Sequence, residues 1–179
     1  YHAALATLHA GKVTLTNLGS TTRQGDVAFV ALCERMGAQV ERTDEAMTIQ
    51  GPDTLRPVEQ VDMVDMPDAA PTLFAMAPYL PRPIRIDGLA TLRRKECDRI
   101  ACSAIELRRA GVQVHEGDDF LSISPSSPKP ATFETYEDHR MAMSFAVLAT
   151  RAPGCRILDP GCVSKTYPNF WDDLALAFG

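Results

Sequence analysis

The sequence predicts an α/β (α+β) domain made of repeated strand–helix–strand–helix–strand–strand (βαβαββ) units, with the helices inside. The first observation behind this prediction is an ungapped repeat, in which GAQVERTDEAMTI at residues 37–49 is matched by GVQVHEGDDFLSI at residues 111–123. In each copy a glycine stands where a helix should stop, and an alternating strand, an Asp-centred turn and a second alternating strand follow. Each copy therefore predicts a helix followed by a β-hairpin.

The elements upstream of these hairpins recur with the same period. Short apolar strands begin at Val13, Ile84 and Arg156, at separations of 71 and 72 residues. Helices open at Asp68 (DAAPTLFAMAPYL) and at Asp138 (DHRMAMSFAVLAT), 70 residues apart. Both helices are apolar nearly all round, which is typical of helices buried inside a domain. A solenoid is the alternative arrangement, but a unit of this length exceeds the common solenoid periods.

The units divide the chain into one complete copy and two partial copies. The complete unit spans about residues 58–124, and the Pro/Ser-rich stretch SPSSPKP from Ser124 is interpreted as a surface loop between units. The opening YHAALATLHAG predicts the body of a helix without a capping residue before it. We therefore expect residues 1–179 to form a single domain that belongs to a larger protein.

Composition excludes several classes of function. The chain has 179 residues, 45% of them hydrophobic, and a formal net charge of -5, which argues against non-specific nucleic-acid binding. The five cysteines are odd in number and lack metal-ligand spacing, so neither a disulfide framework nor a zinc site is expected. No apolar run approaches the roughly 20 residues that a membrane span needs. A monomeric cytoplasmic protein is the expectation.

Positive charges at predicted helix starts carry the first functional hypothesis. A helix N-terminus attracts anions and disfavours cations, so an aspartate there is ordinary, and Asp68 and Asp138 are each explained most simply as N-caps. The cations need another explanation. For the cluster in KECDR, a solvated salt-bridge network and an anion-binding site explain the charges equally well. Similar starts in several units favour a shared site for a phosphate-rich anion. The helix starts are QGD at 24–26, PDAAPT at 67–72, KECDR at 95–99, EDHR at 137–140 and KTYP at 165–168.

The same segments resemble a known family in order and spacing, the 5-enolpyruvylshikimate-3-phosphate synthases (3-phosphoshikimate 1-carboxyvinyltransferases), in their C-terminal half. The motifs that carry the resemblance are QGD, PDAAPT, LRRKECDRI, YEDHRMAMSFA and DPGCVSKTYPNF. The resemblance implies a two-domain enzyme in which each domain holds three βαβαββ units. It also implies transfer of the enolpyruvyl group of phosphoenolpyruvate to the 5-hydroxyl of shikimate 3-phosphate, with release of phosphate, in chorismate and aromatic amino acid biosynthesis. Neither a metal nor an organic cofactor is implied.

The resemblance also implies individual roles. Asp68 would bind the shikimate hydroxyl and accept its proton, and Lys95 would contact shikimate 3-phosphate. Glu96 would lie near the methylene carbon, where a carboxyl with a raised pKa suits acid–base work. The remaining positions are His139, placed beside Glu96 as a third catalytic residue, and the ligands of phosphoenolpyruvate, which are Arg99, Arg140 and Lys165.

Two departures and two rivals qualify this interpretation. Arg94 stands where relatives commonly have an apolar residue, and Thr91 where some have an asparagine, so neither is assigned a role. The family's N-terminal domain is expected to be the missing partner, and the 179 residues alone are expected to be inactive. The rivals are the sister transferase that acts on UDP-N-acetylglucosamine and a non-catalytic phosphate-binding module.

Overall fold

A computed structural model of the protein describes residues 1–19, 22 and 25–178. Gln24 of the predicted QGD helix start lies outside these residues. The described residues form six α-helices: α1 (His2–Leu8), α2 (Ala28–Arg35), α3 (Ala70–Met76), α4 (Arg99–Arg109), α5 (His139–Ala149) and α6 (Phe170–Phe178). They also form nine strands: β1 (Lys12–Thr16), β2 (Gln39–Arg42), β3 (Ala46–Gln50), β4 (Gln60–Asp62), β5 (Ile84–Asp87), β6 (Val114–Glu116), β7 (Leu121–Ile123), β8 (Thr132–Phe133) and β9 (Arg156–Ile157).

The sheet topology confirms the repeat. In the middle unit the strands lie in the order β4-β5-β7-β6, with β4 parallel to β5 and with β7 antiparallel to both of its neighbours. The first unit repeats this pattern as β1-β3-β2, and the third unit repeats the parallel pair as β8-β9. The middle unit is therefore a complete βαβαββ unit, with partial units on either side. Between β7 and β8 the chain is irregular, as the Pro/Ser-rich composition predicts.

The helices α3 and α5 form the centre of the core. All seven residues of α3 are buried, as are nine of the eleven residues of α5. The two helices face each other, and Thr72 and Ser144 join them through a hydroxyl–hydroxyl contact of 3.3 Å. Phe133 packs against Phe145 with ring centroids 4.8 Å apart. Because these helices are apolar on every side, only an interior position removes their surface from water.

One predicted helix start is wrong. Lys165 is the last residue of a 3₁₀ helix, Pro160–Lys165, and α6 begins only at Phe170. The physical reason is Pro168, which disfavours helical geometry at the preceding Tyr167 and has no N–H to donate. Lys165 therefore lies at the end of a short 3₁₀ helix and not at the start of a long α-helix.

The remaining predicted starts are close to those observed. Asp138 is the N-cap of α5, and α4 begins within KECDR, at Arg99. Asp68 lies in a 3₁₀ turn, Pro67–Ala69, directly before α3, and its side chain does not cap a helix. Among the described residues, no helix has the length and apolar character needed to cross a membrane.

Candidate active site

The start of α4 is fixed by its N-cap, Asp98. One carboxylate oxygen of Asp98 accepts a hydrogen bond from the backbone N–H of Ala101 at 3.0 Å, as expected of an N-cap. The other accepts from Arg93 Nη1 at 2.8 Å. Asp98 is therefore a structural residue, and it makes Arg99 the first residue of the helix.

Arg99 is the centre of the site. Its side chain is only 1% exposed, and it donates four hydrogen bonds to carboxylates. Nε donates to Asp138 Oδ2 at 2.7 Å, and Nη2 donates to Asp138 Oδ1 at 3.2 Å. Nη2 also donates to Glu96 Oε2 at 2.7 Å, while Nη1 donates to Asp68 Oδ1 at 3.0 Å. A planar guanidinium suits this use, because it presents several donors in a fixed geometry.

Asp138 is the buried counterion of Arg99. Its side chain is fully buried, and besides binding Arg99 it accepts from the backbone N–H of Arg140 at 2.8 Å. Burial by itself would raise the pKa of Asp138, but the hydrogen bonds and charge of Arg99 outweigh it and lower the pKa below its ordinary value. Asp138 therefore stays ionised, and it joins the first turn of α5 to the first turn of α4.

Asp68 is surrounded by three cations. Lys95 Nζ lies 3.1 Å from Oδ1, which also accepts from Arg99. Arg140 approaches from the other side, with Nη2 3.3 Å from Oδ2 and with Nη1 donating to the Asp68 carbonyl at 3.0 Å. Partial burial opposes ionisation, but the Lys95 hydrogen bond and the charges of Arg140, Lys95 and Arg99 lower the pKa of Asp68. The group is a carboxylate at neutral pH.

Glu96 joins Lys165 to this cluster. Its Oε2 accepts from Arg99, and its Oε1 lies 3.3 Å from Lys165 Nζ. Lys165 is the most exposed member, with 67% of its side chain accessible. The pKa of Glu96 is lowered, first by a hydrogen bond to its own backbone N–H and then, against burial, by the charges of its partners. With these partners the carboxyl does not have the raised pKa that acid–base work would favour.

His139 lies beside the cluster and is not hydrogen-bonded to it through Nδ1. Its side chain is buried, and Nδ1 is 4.0 Å from Asp138 Oδ1. Within the part of the chain that the structure describes, Nδ1 has no hydrogen-bond partner. Burial lowers the pKa of His139, so the imidazole is neutral at pH 7.

The structure thus brings the predicted site residues together. Six of them form one network of charged contacts, and His139 lies at its edge; the six are Asp68, Lys95, Glu96, Arg99, Arg140 and Lys165. Sequence reasoning missed the part played by Asp138, which it explained as an N-cap alone. Its partner Arg99 is 39 residues away in sequence, so no local pattern signals the ion pair.

The fold is that of the enolpyruvyl transferases. EPSP synthase from Acinetobacter baumannii superimposes with a TM-score of 0.82 at 26% identity, over 98% of this chain and 44% of that one. The enolpyruvyl transferase NikO from Streptomyces tendae has the same fold, with a TM-score of 0.78 at 20% identity, over 98% of this chain and 41% of that one.

Within that class, residues 1–174 match the family EPSP synthase (3-phosphoshikimate 1-carboxyvinyltransferase), and the chain belongs to this family. The 3-phosphoshikimate 1-carboxyvinyltransferase of Nostoc punctiforme is 42% identical over 171 residues, which are 96% of this chain and 40% of that protein. The chloroplastic enzyme of Petunia hybrida is 39% identical, over 97% of this chain and 35% of its own length. The resemblance seen in the sequence is confirmed, and the chain spans about 40% of the length of such relatives.

Proposed function

We propose that the full-length protein containing this chain is a 3-phosphoshikimate 1-carboxyvinyltransferase. It transfers the enolpyruvyl group of phosphoenolpyruvate to the 5-hydroxyl of shikimate 3-phosphate and releases phosphate. Residues 1–179 serve as one domain of that enzyme, and the other domain is their partner. The observation that carries this proposal is the cluster of four cations around Asp68 and Glu96.

The cations suit two phosphorylated substrates. Arg99, Arg140 and Lys165 bind the carboxylate and phosphate of phosphoenolpyruvate, because guanidinium groups form paired hydrogen bonds to such anions and an ammonium adds a mobile point charge. Lys95 binds shikimate 3-phosphate. Internal carboxylates accept hydrogen bonds from these donors, so substrate binding exchanges partners within the network.

The carboxylates supply the acid and the base. Asp68 is held ionised. It accepts the proton of the 5-hydroxyl while the hydroxyl oxygen forms a bond to the central enol carbon of phosphoenolpyruvate. Glu96, with neutral His139 nearby, delivers a proton to the methylene carbon and later removes one as phosphate departs. Substrate anions that draw Arg99 and Lys165 away from Glu96 would raise its pKa, which acid–base work requires.

The rival functions are less well supported. The relatives reported above are named as enzymes of shikimate 3-phosphate, which disfavours UDP-N-acetylglucosamine as the acceptor. A non-catalytic phosphate-binding module needs only cations. In this cluster two carboxylates remain partly exposed next to the cations, at 33% for Asp68 and 32% for Glu96. Such carboxylates weaken anion binding, so a module that only binds phosphate gains nothing from them, whereas a transferase can use them as base and acid.

A phosphate-release assay tests the proposal. The full-length protein is expected to release phosphate only when phosphoenolpyruvate and shikimate 3-phosphate are both present. The 179-residue chain by itself is expected to release none, and the Asp68→Ala variant of the full-length protein should be nearly inactive. Absence of turnover in the wild-type full-length protein would refute the proposal. Turnover by the isolated chain would refute the need for both domains.

Lys165 offers a test of substrate binding that leaves folding intact. Lys165→Met in the full-length protein is expected to raise the KM for phosphoenolpyruvate roughly tenfold or more, because one charge-assisted contact to the substrate is lost. Its exposure makes the loss of stability small. Steady-state kinetics measure the effect, with Lys129→Met, another exposed lysine, as the matched control. Equal KM values for the two variants would contradict the role of Lys165.

A further inference from the structure

The turn before α5 has a backbone conformation that its residues do not favour. Tyr136 and Glu137 are both left-handed, with φ of 55° and 56°. The N–H of Asp138 donates to the carbonyl of Thr135 at 2.9 Å, which closes the turn. Two consecutive left-handed residues correspond to a type I′ turn, for which Asn-Gly is the preferred pair. Contacts from outside the turn must therefore hold Tyr136 and Glu137 in place.

Glu106 of α4 makes those contacts. Its side chain is fully buried, and the catalytic roles above do not use it. Oε1 accepts from the hydroxyl of Tyr136 at 2.7 Å, and Oε2 accepts from the backbone N–H of Glu134 at 3.1 Å and from Arg109 Nη1 at 2.9 Å. Burial and the Glu106 carboxylate raise the pKa of Tyr136, so its hydroxyl stays protonated and donates. The carboxylate thus anchors the turn and the strand end before it.

Helix α4 therefore holds the turn before α5 at two points. Arg99 and Glu106 are seven residues apart, about two helical turns, and so lie on the same face of α4. Arg99 binds Asp138 after the turn, and Glu106 binds Tyr136 within it. Asp138 in turn binds Arg99 and the backbone N–H of Arg140, in the first turn of α5. A shift of the turn would move both arginines of the cluster.

We propose that Glu106 and Tyr136 are positioning residues for the arginines that bind phosphoenolpyruvate. The inference rests on the proposed function, since it assigns these two residues a part in the same site. Neither residue is expected to touch substrate. Their effect passes through Asp138, so loosening the turn should weaken phosphoenolpyruvate binding, and not only lower stability.

Tyr136→Phe in the full-length protein tests the proposal, because it removes one hydrogen bond to a carboxylate and leaves the ring. The KM for phosphoenolpyruvate is expected to rise roughly tenfold. The KM for shikimate 3-phosphate should change less, since Lys95 is not attached to the turn. Adding Glu137→Gly should restore most of the loss, because glycine adopts a positive φ without strain. Rescue by a residue that makes no side-chain contact would identify turn geometry as the cause.

Tyr79→Phe is the matched control. The Tyr79 hydroxyl donates to the Leu148 carbonyl at 2.8 Å, near the opposite end of the same helix α5. This variant is expected to lose stability without a change in the KM for phosphoenolpyruvate. The proposal is overturned if Tyr136→Phe behaves in the same way, or if Glu137→Gly fails to rescue it.

Separate calorimetric titrations with phosphoenolpyruvate and with shikimate 3-phosphate, neither of which turns over without the other, distinguish this inference from the proposed function. A wild-type protein that binds both compounds without turnover refutes the proposed function alone. The affinity ratio between Tyr136→Phe and Tyr79→Phe then decides the role of the turn, and equal affinities overturn it. A wild-type protein that binds neither compound overturns both proposals.

Discussion

Replacing Arg99 with methionine is expected to lower the free energy of unfolding of the full-length protein by about 3–5 kcal/mol. The variant leaves Asp138 ionised, fully buried and without its guanidinium partner, and such an uncompensated charge costs far more than a lost surface contact. Urea denaturation at pH 7 measures the effect. Activity should be abolished as well, because the site loses the donor that joins Asp68, Glu96 and Asp138.

Two further variants show whether burial of charge is the cause. Arg82→Met breaks an ion pair with Glu59 in which both side chains are 66% exposed, and it should change stability by less than about 1 kcal/mol. Arg99→Met combined with Asp138→Asn removes the stranded charge and should recover part of the stability. A double variant no more stable than Arg99→Met would show that packing, not charge, dominates.

The same ion pair gives the wild-type protein an acid-dependent loss of stability. Because pairing lowers the pKa of Asp138 in the folded state, its contribution is complete above the ordinary aspartate pKa and is lost as the pH falls through the lowered value. The Arg99→Met variant should lack this part of the pH dependence. Denaturation curves recorded between neutral and acidic pH compare the two.

The second large effect is expected at Asp68. Asp68→Asn should lower kcat by roughly 10²- to 10⁴-fold, because asparagine keeps the shape and cannot accept the hydroxyl proton. Affinity for the substrates should change much less, since Lys95, Arg99 and Arg140 remain. Single-turnover and steady-state assays of phosphate release on the full-length protein separate the two quantities.

Asp62→Asn is the matched control for that variant. Asp62 Oδ1 accepts from the backbone N–H of Val64 at 2.9 Å and lies outside the cluster of cations. Its kcat should stay close to that of the wild type. Comparable kcat values for Asp68→Asn and Asp62→Asn would remove Asp68 from the role of base.

The fold could be predicted because periodicity is local information. Each signal is visible within a dozen residues: a glycine at a helix end, alternation along a hairpin, and a helix that is apolar on all sides. The recurrence of these signals about every 70 residues predicted the βαβαββ unit. The exception, Lys165, arose because KTYP was interpreted as a helix start despite Pro168. The proline divides the segment, and the 3₁₀ helix ends before it.

The residues of the site could be predicted from the sequence, but the contacts between them could not. Motif resemblance supplied the residues, whereas the partners of Arg99 lie in three separate segments of the chain, and only the fold brings them together. The lowered pKa of Glu96 and the left-handed pair at Tyr136 and Glu137 were invisible for the same reason. The left-handed pair depends on contacts with Glu106 in another unit, and the pKa of Glu96 depends on the hydrogen bond to its own backbone N–H and on the positions of Arg99 and Lys165.

The near balance of charge within the cluster has a consequence for the full-length protein proposed above. The cluster contains four cations and three carboxylates, which leaves one net positive charge. The cations are Lys95, Arg99, Arg140 and Lys165, and the carboxylates are Asp68, Glu96 and Asp138. Two phosphorylated substrates would bring several negative charges into this space and reverse its sign. Binding both tightly therefore requires cations beyond these four, and we expect the second domain to supply positively charged side chains of its own.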